Sequence, residues 1–381
     1  MAGMMKETRI YVGTSAFGDA VVPRTILCLS LSHADGKLKQ DWVVEGTQGE
    51  NPGWLVPFTA VNGQHFVAVG YEVAAGAVQM YRVAHRTLEP LGKPVSSVGR
   101  HPCYLARSED GNHMLVANYS EGSVAVLPIL ADGSLGAATD SKHHQGGDLI
   151  DASLHDRQEG SHCHCIIQNP KCGDWVAVCD LGLSTVFTYN FDPVRGSLCG
   201  AHDDPRHLRM PAESGCRHAC WSSDGKWLFV NNELDCSLTA ASFDFSSGAL
   251  EEVVTVPTLP KGIGGLRAHH RGNSDIHIYK DKFIYIGCRS PDPGVIAVFA
   301  IDWVDSKPSF TLVQHESTRG LVPRNFKLID IDSSNNVFLV LGNQETRNVV
   351  SYSIDIDTGK LRICDEISVA PFKPCNIAVG A

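Results

Sequence analysis

The chain has 381 residues, 43% hydrophobic and 19% charged, enough to bury a large core and without the composition of a disordered segment. Its formal charge of −10 excludes the basic excess that general nucleic-acid or anionic-membrane binding needs, so an anionic ligand has to meet a local cluster of cations. No stretch approaches the roughly eighteen apolar residues of a membrane span, the first ten residues carry no apolar leader, and thirteen cysteines without framework spacing point to reduced thiols in a cytoplasmic setting.

In chain order, a strand-like run from Arg9 to Gly13 leads to a turn, Asp35-Gly36-Lys37-Leu38, whose pattern of small or acidic residue, Gly, any residue, Leu then recurs. Copies follow at Asp132-Gly133-Ser134-Leu135, Arg195-Gly196-Ser197-Leu198, Ser247-Gly248-Ala249-Leu250 and Thr358-Gly359-Lys360-Leu361, with weaker ones ending at Leu88 and Phe310. The seven terminal apolar residues are 50, 47, 63, 52, 60 and 51 positions apart, a period suited to four strands and their turns.

Before each turn lie two runs rich in β-branched and aromatic residues. Examples are His113 to Asn118 with Ser123 to Ile129, Trp175 to Asp180 with Thr185 to Phe191, Trp227 to Asn232 with Ser237 to Phe245, and Phe283 to Gly287 with Val295 to Ile301. A third run precedes each pair, and no segment sustains a helical period. The chain ends on an orphan first strand, Cys375 to Val379, which matches the missing first strand ahead of Arg9. The expected fold is therefore all-β: a single seven-bladed β-propeller domain over residues 1–381, its ring closed by the N- and C-terminal strands in one blade.

Antiparallel order puts the starts of the innermost strands and the ends of the second strands on one face of the disc. The starts supply Tyr104, His162, His164, Arg217, His218, His277, Arg324, Asn325 and Asn376, and the ends supply Tyr71, Asn118, Asp180, Glu233, Arg289, Asn343 and Gln344. Two long loops, 138–161 and 257–275, enter from the same face and bring His143, His144, His155, Arg157, His269, His270 and Arg271. One mouth of the central channel should thus be a His- and Arg-rich pocket under two lids.

Strand alternation sends His162 and His164 one way and Cys163 and Cys165 the other, which divides an apparent four-ligand metal set, so no metal or other cofactor is expected. An Arg near a crowded axis needs a partner, and Glu233 can be that of Arg217. His143, His144, His269 and His270 read as solvated loop residues.

The segments His155-x-Arg157-Gln158, His162-x-His164, Cys216-Arg217-His218, Asn232-Glu233-Leu234, Asp275-Ile276-His277-Ile278 with Arg289, and Pro323-Arg324-Asn325-Phe326 resemble the lactonase family of seven-bladed propellers, which includes 6-phosphogluconolactonases and 3-carboxy-cis,cis-muconate lactonizing enzymes. The resemblance spans nearly the whole chain and implies catalytic roles for His164, Arg217, Glu233 and Arg289. Departures include Cys216 and Ser161, where the family commonly has proline.

A lactone hydrolyses through a tetrahedral oxyanion, which needs fixed positive donors and a group that takes a proton from water. Arg217 and Arg289 suit the first role, and His164 the second, with Glu233 orienting it or sharing the proton. Arg157, His162, His277 and Arg324 are available for a phosphate or carboxylate on the substrate. The expected partner is a small anionic lactone or carboxylate, with neither nucleic acid nor membrane. The expected reaction is hydrolysis of 6-phosphogluconolactone in the pentose phosphate route. A muconate-type lactonizing reaction and a non-enzymatic binding propeller are the alternatives.

Overall fold

In a computed structural model that describes residues 6–16, 22–44, 51–146, 155–200, 206–260, 272–331 and 336–380, the β-rich runs form seven antiparallel sheets. The innermost strands are Pro374–Val379, Pro52–Thr59, Pro102–Arg107, Cys163–Gln168, Cys216–Trp221, Asn273–Tyr279 and Pro323–Ile331, in blades one to seven. Four of them begin with proline, the position where the missing N–H costs no ladder bond. Helix is confined, among the described residues, to a single turn at His155–Gln158.

The first blade is built from both chain ends. Strand Glu7–Thr14 pairs with Ile26–Ser32 on one side and with Pro374–Val379 on the other, in the register Ile10 to Val379 and Val12 to Ile377. Clusters of buried apolar side chains fill the gaps between adjacent blades all round the ring, including the one joining blade seven to blade one through Ile10, Leu29, Phe338 and Val340. Second strands such as Trp227–Asn232 are buried along their whole length because both faces pack on neighbours, whereas the outermost Leu250–Pro257 is exposed at Glu251, Glu252 and Pro257.

The recurring Gly turn has a packing reason. Gly36 and Gly359 adopt φ of 70° and 73°, and a Cβ on either would lie 2.7 Å or less from an aromatic ring of the preceding blade, Phe338 or Phe283. Each such turn clamps one blade onto the last, which is why the motif keeps the blade period.

Candidate functional site

Every blade ends its inner hairpin in the same way. The residue just past the second strand donates its N–H to the carbonyl of the residue just ahead of the innermost strand: Ser15 to Lys373, Glu72 to Asn51, Tyr119 to His101, Leu181 to His162, Glu233 to Gly215, Arg289 to Gly272 and Gln344 to Val322. One step inside that pair, each innermost strand carries a β-bulge. The bulged residues are Cys375, Gly53, Cys103, His164, Arg217 and Arg324, with Ser274 and Asp275 in the sixth blade. A bulge re-aims a side chain. These two sets of positions, far apart in sequence, ring one mouth of the channel.

They enclose a cavity of about 330 Å³ lined by Glu72, His101, Tyr119, Ser120, Arg157, His164, Arg217, Glu233, Arg289 and Arg324. Four guanidiniums face two carboxyl groups there, so the cavity suits an anion. The residues that follow the bulges in the innermost strands pack on one another: Trp54 and Tyr104 lie with ring centroids 4.2 Å apart, His218 stands edge-on to both, and His218 Nδ1 is 2.8 Å from Asp275 Oδ1.

Glu233 is the electrostatic hub. Its Oε1 accepts from Arg157 Nη2 at 2.5 Å and Arg289 Nη1 at 3.1 Å; its Oε2 lies 2.7 Å from Arg217 Nε and accepts from Arg289 Nη2 at 3.3 Å. Burial pushes this carboxyl up, but the three guanidiniums overcome burial and hold it well below the usual carboxylate range. Burial and the neighbouring Arg289 push Arg217 down to about 9, so it still carries its charge at neutral pH. The buried Nε of Arg289 has no acceptor among the described residues.

His164 lies at the cavity wall with Nδ1 3.7 Å from the Cys103 thiol and its ring 5.1 Å from that of His218. Burial, then the charge of Arg217, pushes its pKa well below the ordinary histidine value. Its protonated form is thus disfavoured, which keeps the imidazole neutral and weakens it as a proton acceptor.

Of the eight site residues expected from sequence, His164, Arg157, Arg217, Glu233, Arg289 and Arg324 line this one cavity. Two stand elsewhere. His162 precedes its strand, because the bulge at His164 breaks the expected alternation; its ring stacks on Tyr119 at 4.4 Å and 9°. His277 is not in the cavity lining; its Nε2 is 3.2 Å from Asp275 Oδ2 and 3.4 Å from Lys327 Nζ, and it is the fifth residue of its strand rather than at its start. Glu72 was missed, although it holds the position in blade two that Glu233 holds in blade five; the expectation stopped one residue short, at Tyr71.

His144 is also corrected: it is buried rather than solvated, with Nδ1 2.7 Å from Asp180 Oδ2 and Nε2 2.9 Å from Tyr189 Oη. His144, Cys163 and Asp180 bring potential metal-ligand atoms within 4.8 Å of one another. Asp180 Oδ1 also accepts from the N–H groups of His162 and Leu183, so the cluster serves to pin the loop ahead of the innermost strand. The lid residues His269, His270 and Arg271, and the side chain of His155, lie outside the described residues. Among the described residues, no helix is long and apolar enough to cross a membrane.

Known proteins share this architecture. The chain is 28% identical over 322 residues to the 6-phosphogluconolactonase of Bacillus subtilis, covering 84% of this chain and 82% of that one. The crystal structure of a protein from Lactobacillus plantarum superposes with a TM-score of 0.82 at 27% identity, covering 99% of this chain and 100% of that one. The periplasmic gluconolactonase of Pseudomonas aeruginosa superposes with a TM-score of 0.82 at 25% identity over 99% of each chain. The family described as lactonase, seven-bladed beta-propeller, matches residues 9–375, and the chain belongs to it.

Proposed function

We propose that the protein hydrolyses a lactone of an anionic sugar acid, with 6-phosphogluconolactone as the substrate. The observation that carries this reading is the convergence of Arg157, Arg217, Arg289 and Arg324 on one cavity whose single strongly ionised carboxylate, Glu233, ties three of them in place. A lactone carbonyl becomes an oxyanion on attack by water, and preorganised guanidinium donors stabilise that charge without reorganising. One such donor is typically worth about 3 to 4 kcal/mol of barrier. Arg217 and Arg289 are assigned to the oxyanion. Arg324 and Arg157, the less buried pair with side chains 16% and 19% exposed, are assigned to the substrate's phosphate. Neutral His164 contributes a hydrogen bond at the wall. This chemistry draws on side chains alone, with no metal in a catalytic role.

A reducing, cytoplasmic setting belongs to the same reading, supported by thirteen free thiols, most of them buried in the blades. The test is the rate of loss of 6-phosphogluconolactone above its spontaneous hydrolysis, with and without chelator. Acceleration that survives chelation is expected. No acceleration, together with turnover of a carboxymuconate, would replace hydrolysis by ring closure onto a double bond.

A further inference from the structure

We infer that Glu72 is the proton-transfer residue of this cavity, a role that rests on the lactone-hydrolysis reading of the site. Among the described residues lining the cavity, two carboxyl groups are available. Both oxygens of Glu233 are engaged by three guanidiniums, so that carboxylate positions cations and has no open edge for water. Among the described residues the Glu72 carboxyl has one ion-pair partner, Arg324, whose Nη2 is 4.0 Å from Oε1, with the charge of Arg217 acting from farther off, and its side chain keeps 8% exposure while lining the cavity.

What admits Glu72 is a missing side chain. Blades four, five and seven carry His164, Arg217 and Arg324 at the bulge, whereas blade two carries Gly53 there. A Cβ on Gly53 would lie 2.6 Å from Glu72 Oε2 and 2.9 Å from Glu72 Cβ. The carboxyl therefore occupies the volume that a bulge side chain takes in the other blades, in the cavity that Arg217 and Arg289 also line. Burial pushes its pKa up from the ordinary 4.5 to about 7, against the pull of Arg324 and Arg217. A group with that value exchanges protons readily near neutral pH.

The step balances with one carboxylate. A water oxygen bonds to the acyl carbon while its proton passes to Glu72, and the carbonyl electron pair moves onto the oxygen held by Arg217 and Arg289. As that pair returns, the bond between acyl carbon and ring oxygen breaks, the ring oxygen keeps the bonding electrons, and the proton on Glu72 moves to it. The new carboxylic acid loses its proton to solvent, and Glu72 is again a carboxylate.

The experiment is a background-corrected pH profile of 6-phosphogluconolactone hydrolysis by the wild type, Glu72→Gln and His164→Ala, with a carbon-13 NMR titration of glutamate carboxyls in the wild type and Glu72→Gln. For the wild type, kcat/KM should fall as pH drops through about 7. Glu72→Gln should lose about a hundredfold in kcat and lose that limb, while His164→Ala keeps the limb. Retention of the limb in Glu72→Gln, or its loss in His164→Ala, overturns the assignment. A wild type with no activity on this lactone sinks the substrate reading instead. The titration then decides Glu72 separately: one glutamate carboxyl titrating near neutrality in the wild type and absent from Glu72→Gln upholds its proton-exchanging character, and the lack of such a signal refutes it.

Discussion

Glu72 and Glu233 occupy the same position in blades two and five, each donating its backbone N–H to the residue ahead of the innermost strand, at 3.0 Å to Asn51 and 2.8 Å to Gly215, yet their environments drive their charges apart. Glu233 meets three guanidiniums within 3.3 Å and is held ionised; Glu72 has its ion-pair partner at 4.0 Å in a largely buried place, and burial pushes its pKa up to about 7. One scaffold position thus yields a cation anchor and a proton carrier, depending on which residues the neighbouring bulges bring.

Removing the anchor should cost stability as well as activity. Glu233→Ala leaves Arg217 and Arg289, both nearly sealed from solvent, without their counter-charge, and breaking one side of a buried ion pair typically costs about 3 to 5 kcal/mol. Urea unfolding should show a loss of this size, together with a fall in turnover. An unchanged midpoint would mean that the arginines are solvated elsewhere.

Arg217→Lys should lower turnover at least about tenfold, because an ammonium cannot hold Glu233 and the Ser274 carbonyl and still present a planar donor to the cavity. Steady-state kinetics on the lactone checks this. His164→Ala should also lose at least about tenfold, through loss of the hydrogen bond it offers at the cavity wall.

The pKa of Glu72 has a stability consequence whose sign is fixed by linkage. Its folded value, about 7, lies above the ordinary 4.5, so the folded state binds the proton more tightly than the unfolded chain. The resulting stabilisation is complete below 4.5 and disappears as pH rises through about 7. The stability of the wild type relative to Glu72→Gln should therefore decline across that window, as measured by urea midpoints at a series of pH values. A flat difference would show that Glu72 titrates normally.

Gly53→Ala tests the space that admits Glu72. The added methyl meets Glu72 Oε2 and Cβ at distances no relaxed contact sustains, so the carboxyl must swing away from the cavity. Turnover should fall towards that of Glu72→Gln while Glu233 keeps its arginines. Wild-type kinetics in Gly53→Ala would show that the carboxyl's present position is dispensable.

At Asp180, replacement by Ala removes the acceptor for His144 and for the N–H groups of His162 and Leu183, the two histidines buried with it and Leu183 partly so. Leaving those donors unsatisfied costs about 1 to 3 kcal/mol each. Thermal denaturation should show a clear loss, and chelator should leave the wild-type melting temperature unchanged if the cluster is held by hydrogen bonds.

Much of the molecule could be read locally. The Gly turns, the paired β-rich runs and the complementary partial blades at the two termini are short-range signals, because turn chemistry and strand periodicity act over a few residues; together they define seven blades and ring closure. Strand polarity was enough to send Arg157, His164, Arg217, Glu233, Arg289 and Arg324 to one mouth of the channel. The pairing of Arg217 with Glu233 was legible too. Tertiary structure alone decided that Arg157 and Arg289 join that pair, that a bulge turns His164 away from the alternation that would have matched it with His162, that His277 is left out of the cavity lining, and that the missing side chain at Gly53 brings Glu72 into the cavity. Those outcomes depend on contacts between residues as distant in sequence as Glu72 and Arg324 and on the burial of charge they produce, and neither distance nor desolvation is written into any one stretch of residues.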